Sequence, residues 1–179
     1  MRAFTRTKAM LAAFLLVLAM GQGRAYAVEE GPGFPPAGWS REQLLCEYSR
    51  LTGSFSASAN GSIFAIAYSD GEYDWLRISA KAFLLGRNGP EEVWSNEVSK
   101  EKTHNITPLI VPASAGGFHI FWVERPDEER YSIRYSQLAG DGSVLVPDTL
   151  LESALGPIRD LTAVELSDDA LVLAWSDWR

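Results

Sequence analysis

Three acidic side chains occupy comparable places along the chain and are the first candidates for chemistry. Asp70, Glu124 and Asp177 each lie two residues after an aromatic side chain that ends an apolar run. Carboxylates accept hydrogen bonds from sugar hydroxyls and basic peptides, and their oxygens are ligands for calcium. The pattern favours an acidic rim that binds such a partner; the alternative is that these are solvated turn residues. No metal site is predicted from the spacing, so calcium on this rim is the sole cofactor hypothesis.

Aromatic side chains supply a second kind of candidate, because the faces of Trp and Tyr stack on sugar rings. Trp75 and Trp178 lie in or near the segments that follow the acidic positions, and they are the candidates for an exposed carbohydrate platform. Tyr68, Trp122 and Trp175 instead end apolar runs, where a large buried aromatic most simply packs one repeat against the next.

Catalytic residues are not indicated. His104 and His119 are the only histidines and Cys46 is the only cysteine, so zinc-ligand spacing and an intrachain disulfide are both excluded. The sequence lacks G-x-S-x-G, H-E-x-x-H and a phosphate-binding glycine loop. The many surface acids do not single out the pair that glycoside hydrolysis requires. We predict no catalytic residue.

A repeat of about 53 residues positions the candidate side chains. Tyr68, Trp122 and Trp175 are 54 and 53 residues apart, and the turns Asn88-Gly89 and Asp141-Gly142 are 53 residues apart. About four short antiparallel strands per period are typical of β-propeller blades, whereas a β-sandwich gives no reason for turns and aromatics to recur in register. The sequence therefore predicts an all-β fold of propeller-type repeats.

The predicted blades cover residues 53–103 and 104–156, with 157–179 supplying half of a third. Roughly two and a half blades make an incomplete ring. We expect the chain to be a truncated portion of a longer propeller. The alternative is that blades from several chains assemble into one ring as a homo-oligomer.

One blade resembles those of bacterial exported propellers of the sialidase-like class, the Asp-box (BNR) superfamily. The resemblance lies in Phe118–Glu124, Tyr131–Ser136 and Gly140–Gly142 and extends over residues 53–179. It implies a propeller fold. The Asp-box has the form Ser-x-Asp-x-Gly-x-Thr-Trp, and the turns at 88–89 and 141–142 keep the Asx-Gly but lack the Ser and the Thr-Trp. The arginine cluster, the acid/base Asp and the Tyr–Glu pair of sialidases are not assignable, so the resemblance does not carry enzymatic activity over.

The first residues have the features of a cleavable signal peptide. Basic residues precede the apolar stretch Met10–Met20, and the small-residue site Ala25-Tyr26-Ala27 follows. The apolar stretch is too short to cross a bilayer core of about 30 Å as a helix. We predict cleavage after Ala27 and a secreted or periplasmic protein. Residues 28–52 are expected to form an irregular arm and a short helix, because Ser40-Arg41-Glu42-Gln43 matches a capping box.

The charge of the chain limits its partners. Residues 1–27 hold four of the 16 Lys and Arg residues and none of the 23 Asp and Glu residues, so the remainder has 12 basic and 23 acidic groups and a net charge of −11. Nucleic acids and anionic membranes are bound mainly through Lys and Arg. We therefore expect no nucleic acid partner and no membrane association after cleavage.

The sequence predicts an exported, non-catalytic β-propeller module that binds a carbohydrate or protein ligand or serves as a scaffold. The alternative is the N-terminal part of a sialidase-like glycoside hydrolase.

Overall fold

The computed structural model describes residues 54–72, 75–86, 89–100, 103–166 and 170–177. All described residues lie in one compact unit, Tyr48–Arg179. The predicted signal peptide, the arm with its helix and Trp178 lie outside the described residues.

The described residues form ten β-strands. In chain order these are β1 (Phe55–Asn60), β2 (Ile63–Glu72), β3 (Trp75–Gly86), β4 (Gly89–Glu97), β5 (His104–Pro112), β6 (Phe118–Arg125), β7 (Arg130–Leu138), β8 (Val144–Leu155), β9 (Ile158–Glu165) and β10 (Leu171–Asp177). The prediction of an all-β fold is confirmed. No membrane-spanning helix occurs in the part of the chain that is described.

The strands follow one another as antiparallel neighbours in three groups. β1 to β4 form one four-stranded meander, β5 to β8 form a second, and β9 pairs with β10 in a hairpin. A single parallel pair, Leu76 with His104, joins the two meanders through β3 and β5. The strands of the described ranges do not close into a ring.

The first hairpin follows from its turn residues. Asn60 pairs with Ile63, so Gly61 and Ser62 form a two-residue loop. Gly61 has a φ of 63°, the left-handed conformation that such a tight turn requires and that glycine adopts at no steric cost.

The main core lies between the faces of the two meanders. Small side chains on β2 and β3 face large ones on β6, so the bulky residues fit against a flat alanine surface. The alanines are Ala65, Ala67, Ala80 and Ala82, and the β6 residues are Phe118, Ile120 and Trp122.

The other face of the second meander packs against the hairpin. A smaller cluster there contains Val123, Ile133 and Ile158, with Leu173 and Trp175 among its half-buried neighbours. Because successive residues of a strand point to opposite faces, β6 contributes to both cores. β6 is thus covered on both faces, whereas most of β8 is exposed.

β5 and β9 carry the same irregularity. Each shifts register against its partner strand opposite an aromatic residue, which is Trp122 for β5 and Trp175 for β9. In each bulge one residue that is not glycine has positive φ, Thr107 at 52° and Asp160 at 54°. These two positions are 53 residues apart.

Candidate functional site

The three predicted acidic residues lie near the ends of β2, β6 and β10, but their surroundings differ. Asp70 pairs across the ladder with Arg77, whose Nη2 lies 3.6 Å from the Asp70 carboxylate. Asp177 ends its strand opposite Ile158 and is partly exposed. Glu124 is only 7% exposed, so its carboxylate is not part of a solvated rim.

Glu124 instead belongs to an ionic network formed by the second meander and the segment that precedes β5. Its Oε1 accepts a hydrogen bond of 3.1 Å from the Thr103 hydroxyl, and its Oε2 lies 3.7 Å from Arg134. Arg134 donates through Nε to Asp148 at 2.8 Å, and Asp148 also accepts the backbone N–H of Lys100. Buried charges need such partners, since an isolated one is strongly disfavoured. Glu124 therefore has a structural role in this network.

The described residues contain no group of three or more His, Cys, Asp or Glu side chains placed to hold a metal ion. Asp70, Glu124 and Asp177 are accordingly not brought together as a calcium site.

The candidate aromatic residues are buried to different extents, as their positions in the strands predict. Trp122 is completely buried, and its Nε1 donates to Asn105 Oδ1 at 2.9 Å. Tyr68 is also buried, and Trp175 packs on the second cluster. Trp75 begins β3 and is partly exposed, with the Arg77 guanidinium 5.8 Å from its ring centroid. Trp75 therefore retains some accessible surface for a ligand.

A groove of about 550 Å³ lies where the first strands of the three groups come side by side. It is lined by Asn60 at the end of β1, by residues 109–114 of β5 and the turn after it, and by residues 163–165 of β9. The wall from β5 is apolar, since Leu109 through Ala113 carry hydrocarbon side chains. Concave, mostly apolar sites with few polar groups are typical of ligand pockets.

Two polar tethers fix the turn between β5 and β6 at one end of this groove. Asn60 Nδ2 donates to the backbone oxygens of Ala113 and Gly117, at 2.7 and 3.0 Å. On the opposite side, Ser114 donates both its backbone N–H and its hydroxyl to the carboxylate of Glu165. The turn is thus held by β1 and by β9 together, which gives the groove a defined shape.

A buried histidine lies next to the second tether. His119 Nδ1 is 2.9 Å from the Tyr135 hydroxyl, and Nε2 is 3.6 Å from Glu165 Oε1. The Nε2 atom is buried and has no hydrogen-bond partner among the described residues. Ser114 donates to Glu165, which puts the carboxylate between the hydroxyl and the imidazole. The cluster therefore lacks the serine–histidine contact of a hydrolase triad, because neither ring nitrogen of His119 is bonded to Ser114.

Burial and hydrogen bonding set the charges of this cluster. Burial lowers the pKa of His119 below its usual 6.5, although the carboxylate of Glu165 opposes that shift. Hydrogen bonds from Ser114, first of all that of its backbone N–H, lower the pKa of Glu165. Burial raises the pKa of Tyr135. At neutral pH the groove thus has an ionised carboxylate beside a neutral imidazole.

The groove residues Asn60, Ser114 and Glu165 were not predicted from the sequence. No catalytic or ligand-binding motif contains them, and they meet because strands about 50 residues apart lie side by side. The repeat itself indicates that such residues can meet, because Ser114 and Glu165 are 51 residues apart, which is close to the 53-residue period.

A scan against models of protein families, a search of curated proteins and a search of solved structures each found no match to this chain. The interpretation of the site therefore depends on its geometry and on the sequence.

Proposed function

We propose that this chain is an exported, non-catalytic binding or scaffold module built from β-propeller-type repeats. The observation that carries the proposal is the bulge common to β5 and β9. In both strands a residue with positive φ stands opposite a tryptophan, and that tryptophan packs on the neighbouring group of strands. Recurrence of so specific a backbone feature at a 53-residue interval favours successive units of one kind.

The turns after these two strands support the same interpretation. Ala113 N–H donates to the oxygen of Gly117, and Leu166 N–H donates to the oxygen of Ala170, again 53 residues further along. β5 packs against both β1 and β9, which is the arrangement expected of the innermost strands of neighbouring blades. These features argue for blade-like units, with the groove on their inner side.

The groove is the proposed ligand site, and a carbohydrate or a protein segment is the proposed ligand. The polar side chains of Asn60, Ser114 and Glu165 are engaged in tethers, and no serine contacts the imidazole of His119, so binding without turnover suits the groove better than hydrolysis. Trp75 and Asp177 are secondary candidates for ligand contacts. The predicted signal peptide supports export. The proposed binding therefore takes place outside the cytoplasm, and Val28 is the first residue of the exported chain in this proposal.

Binding and turnover assays on the exported chain test this proposal. The full chain is expressed with its own first 27 residues, and the mass of the exported product should correspond to a start at Val28. That product is then applied to arrays of immobilised glycans and peptides, and to fluorogenic glycosides including a sialoside. We expect retention on one class of array ligand and no release of fluorophore.

Release of fluorophore by the purified chain would contradict the proposal and favour a glycoside hydrolase. Retention of the chain in the cytoplasm with an intact N-terminus would contradict the proposed export. An Ala163→Trp variant, which fills the groove, should lose array binding, whereas Val93→Trp on the exposed surface of β4 serves as the matched control.

A further inference from the structure

The edge of β9 that faces away from β10 presents backbone groups along the groove. Leu166 N–H donates to Ala170 at 2.8 Å, which makes these two residues a hydrogen-bonded pair. In an antiparallel ladder such pairs alternate with pairs that do not exchange hydrogen bonds. Ala163 and Glu165, opposite Leu173 and Leu171, therefore direct their N–H and C=O groups away from β10. Both residues line the groove.

The corresponding edge of β5 is satisfied within the chain. Thr107 N–H donates to the Ser54 hydroxyl at 2.9 Å, and Ile110 N–H donates to the Ser56 hydroxyl at 3.2 Å. Pro112 has no N–H to satisfy. Ser54, just before β1, and Ser56 of β1 thus act as acceptors for β5.

β5 offers β9 no such acceptors. The residues of β5 that line the groove are apolar, and the one hydroxyl nearby, that of Ser114, donates to the Glu165 carboxylate. Across the groove, two outward N–H groups of β9 thus face a hydrocarbon wall. An unpaired strand edge of this kind is a template for an added strand.

We propose that the groove binds an extended peptide segment, which pairs with β9 at Ala163 and Glu165 as an added strand. Alternate residues of an extended chain are about 6.6 Å apart, so the carbonyls of such a peptide match the spacing of the two N–H groups. Its side chains on one face pack on Leu109 and Val111. The ionised Glu165 favours a segment that has a Lys or Arg at the end lying beside this carboxylate. This inference rests on the proposed binding function and specifies its ligand chemistry.

The probe is a capped heptapeptide of alternating Thr and Val with a C-terminal Lys amide, titrated into the ¹⁵N-labelled chain. We expect saturable shifts and slowed hydrogen exchange at the amides of Ala163 and Glu165. The amide of Val164, which points toward β10, should keep its exchange rate. If no saturable shift occurs up to about 5 mM peptide, the proposal is overturned. This limit is set by the solubility of the peptide and is on the order of the weakest useful Kd.

Peptide isomers test the hydrogen bonds without altering the protein. One isomer is N-methylated on its valines and the other on its threonines. Because a single edge of the peptide faces β9, the two isomers should differ at least tenfold in Kd, a ratio of about 1.4 kcal/mol. Equal affinities would show that backbone pairing is not the mode of binding.

Ala163→Pro removes the outward N–H while leaving the ladder to β10 intact, and Ala163→Ser keeps the N–H as the matched control. The proline variant should bind the peptide at least tenfold more weakly than the serine variant. If the proline variant unfolds the hairpin, the N-methyl isomers still decide the question. Array binding to glycans with unchanged amides at Ala163 and Glu165 would sustain the proposed binding function and overturn this inference.

Discussion

His119 lies between the second meander and β9, with a side chain only 5% exposed. Its nearest charged neighbour is the carboxylate of Glu165, and Tyr135 contacts the other ring nitrogen. Removing an imidazole from water disfavours its charged form, and here this effect exceeds the attraction of the carboxylate. The imidazole of His119 is therefore neutral in the folded chain at neutral pH.

Stability should consequently fall when the solution is acidified. The pKa of His119 is lower in the folded chain than its ordinary 6.5, so between those values the unfolded chain binds more protons. The pKa of Glu165 is also lowered, from 4.5, and its contribution is present above that value and lost as pH falls through the folded pKa. We expect the urea midpoint to decrease from pH 7.5 to 5.5 through His119, and further below pH 4.5 through Glu165.

The variant His119→Gln isolates the histidine. Glutamine keeps a polar group beside Tyr135 but does not titrate, so the decrease between pH 7.5 and 5.5 should be smaller than in the wild type. His104→Gln is the matched control, because it leaves the cluster of His119, Tyr135 and Glu165 intact. A midpoint of the His119→Gln variant that falls as steeply as the wild-type midpoint would refute this assignment.

At the residue scale, the sequence predicted burial better than it predicted contacts. The packing role expected of Trp122 is confirmed, because a large aromatic at the end of an apolar run has few other places to go. Glu124 has the same sequence context as Asp70, yet it is buried with Thr103 and Arg134. The partner that stabilises it comes from another strand, and the local pattern of residues contains no information on that partner.

At the scale of strands, alternation and turn chemistry were sufficient to predict most elements. Asn-Gly is a strong hairpin-turn dipeptide, so Asn60-Gly61 followed by the apolar run from Ile63 to Tyr68 predicts a hairpin, and the structure contains one there. The bulges in β5 and β9 were not predicted. A bulge shifts the ladder and changes the pairing of the residues beyond it, whereas the outward N–H groups of Ala163 and Glu165 are set by the pair Leu166–Ala170 at the turn.

The two tryptophans opposite these bulges should differ in their contribution to stability. Trp122 is completely buried in the main core cluster and hydrogen-bonded to Asn105, whereas Trp175 is half-buried against the smaller cluster. Trp122→Ala should lower the free energy of unfolding by about 3–5 kcal/mol, because it opens a large cavity and leaves the Asn105 oxygen without its donor. Trp175→Ala should cost roughly half as much.

Urea unfolding monitored by circular dichroism measures both losses. Trp122→Phe separates the two contributions at the first site, since it restores most of the volume but not the hydrogen bond. If Trp122→Ala proves no more destabilising than Trp175→Ala, the core between the meanders is not the main source of stability.

At the scale of the whole chain, the two cores are unequal. The core between the meanders unites residues of β2 to β7, while the hairpin is attached through the cluster of Val123, Ile133 and Ile158 and through the Ser114–Glu165 tether. The repeat predicts about four strands in each complete group, but it does not predict this inequality, because the sizes of the cores depend on which faces meet. Hydrophobic stabilisation scales roughly with the apolar area buried.

The hairpin should therefore open more readily than the meanders, and native-state hydrogen exchange measures this directly. The amides of Val172 and Ala174 belong to hydrogen-bonded pairs with β9 and report on hairpin opening. They should be protected at least tenfold less than the amides of β6, and their exchange should depend weakly on denaturant because little surface is exposed in the local opening. Trp175→Ala should lower their protection further and leave that of β6 nearly unchanged. Equal protection of β10 and β6, with the same denaturant dependence, would mean that the hairpin and the meanders unfold as one unit and that the smaller core is not a point of weakness.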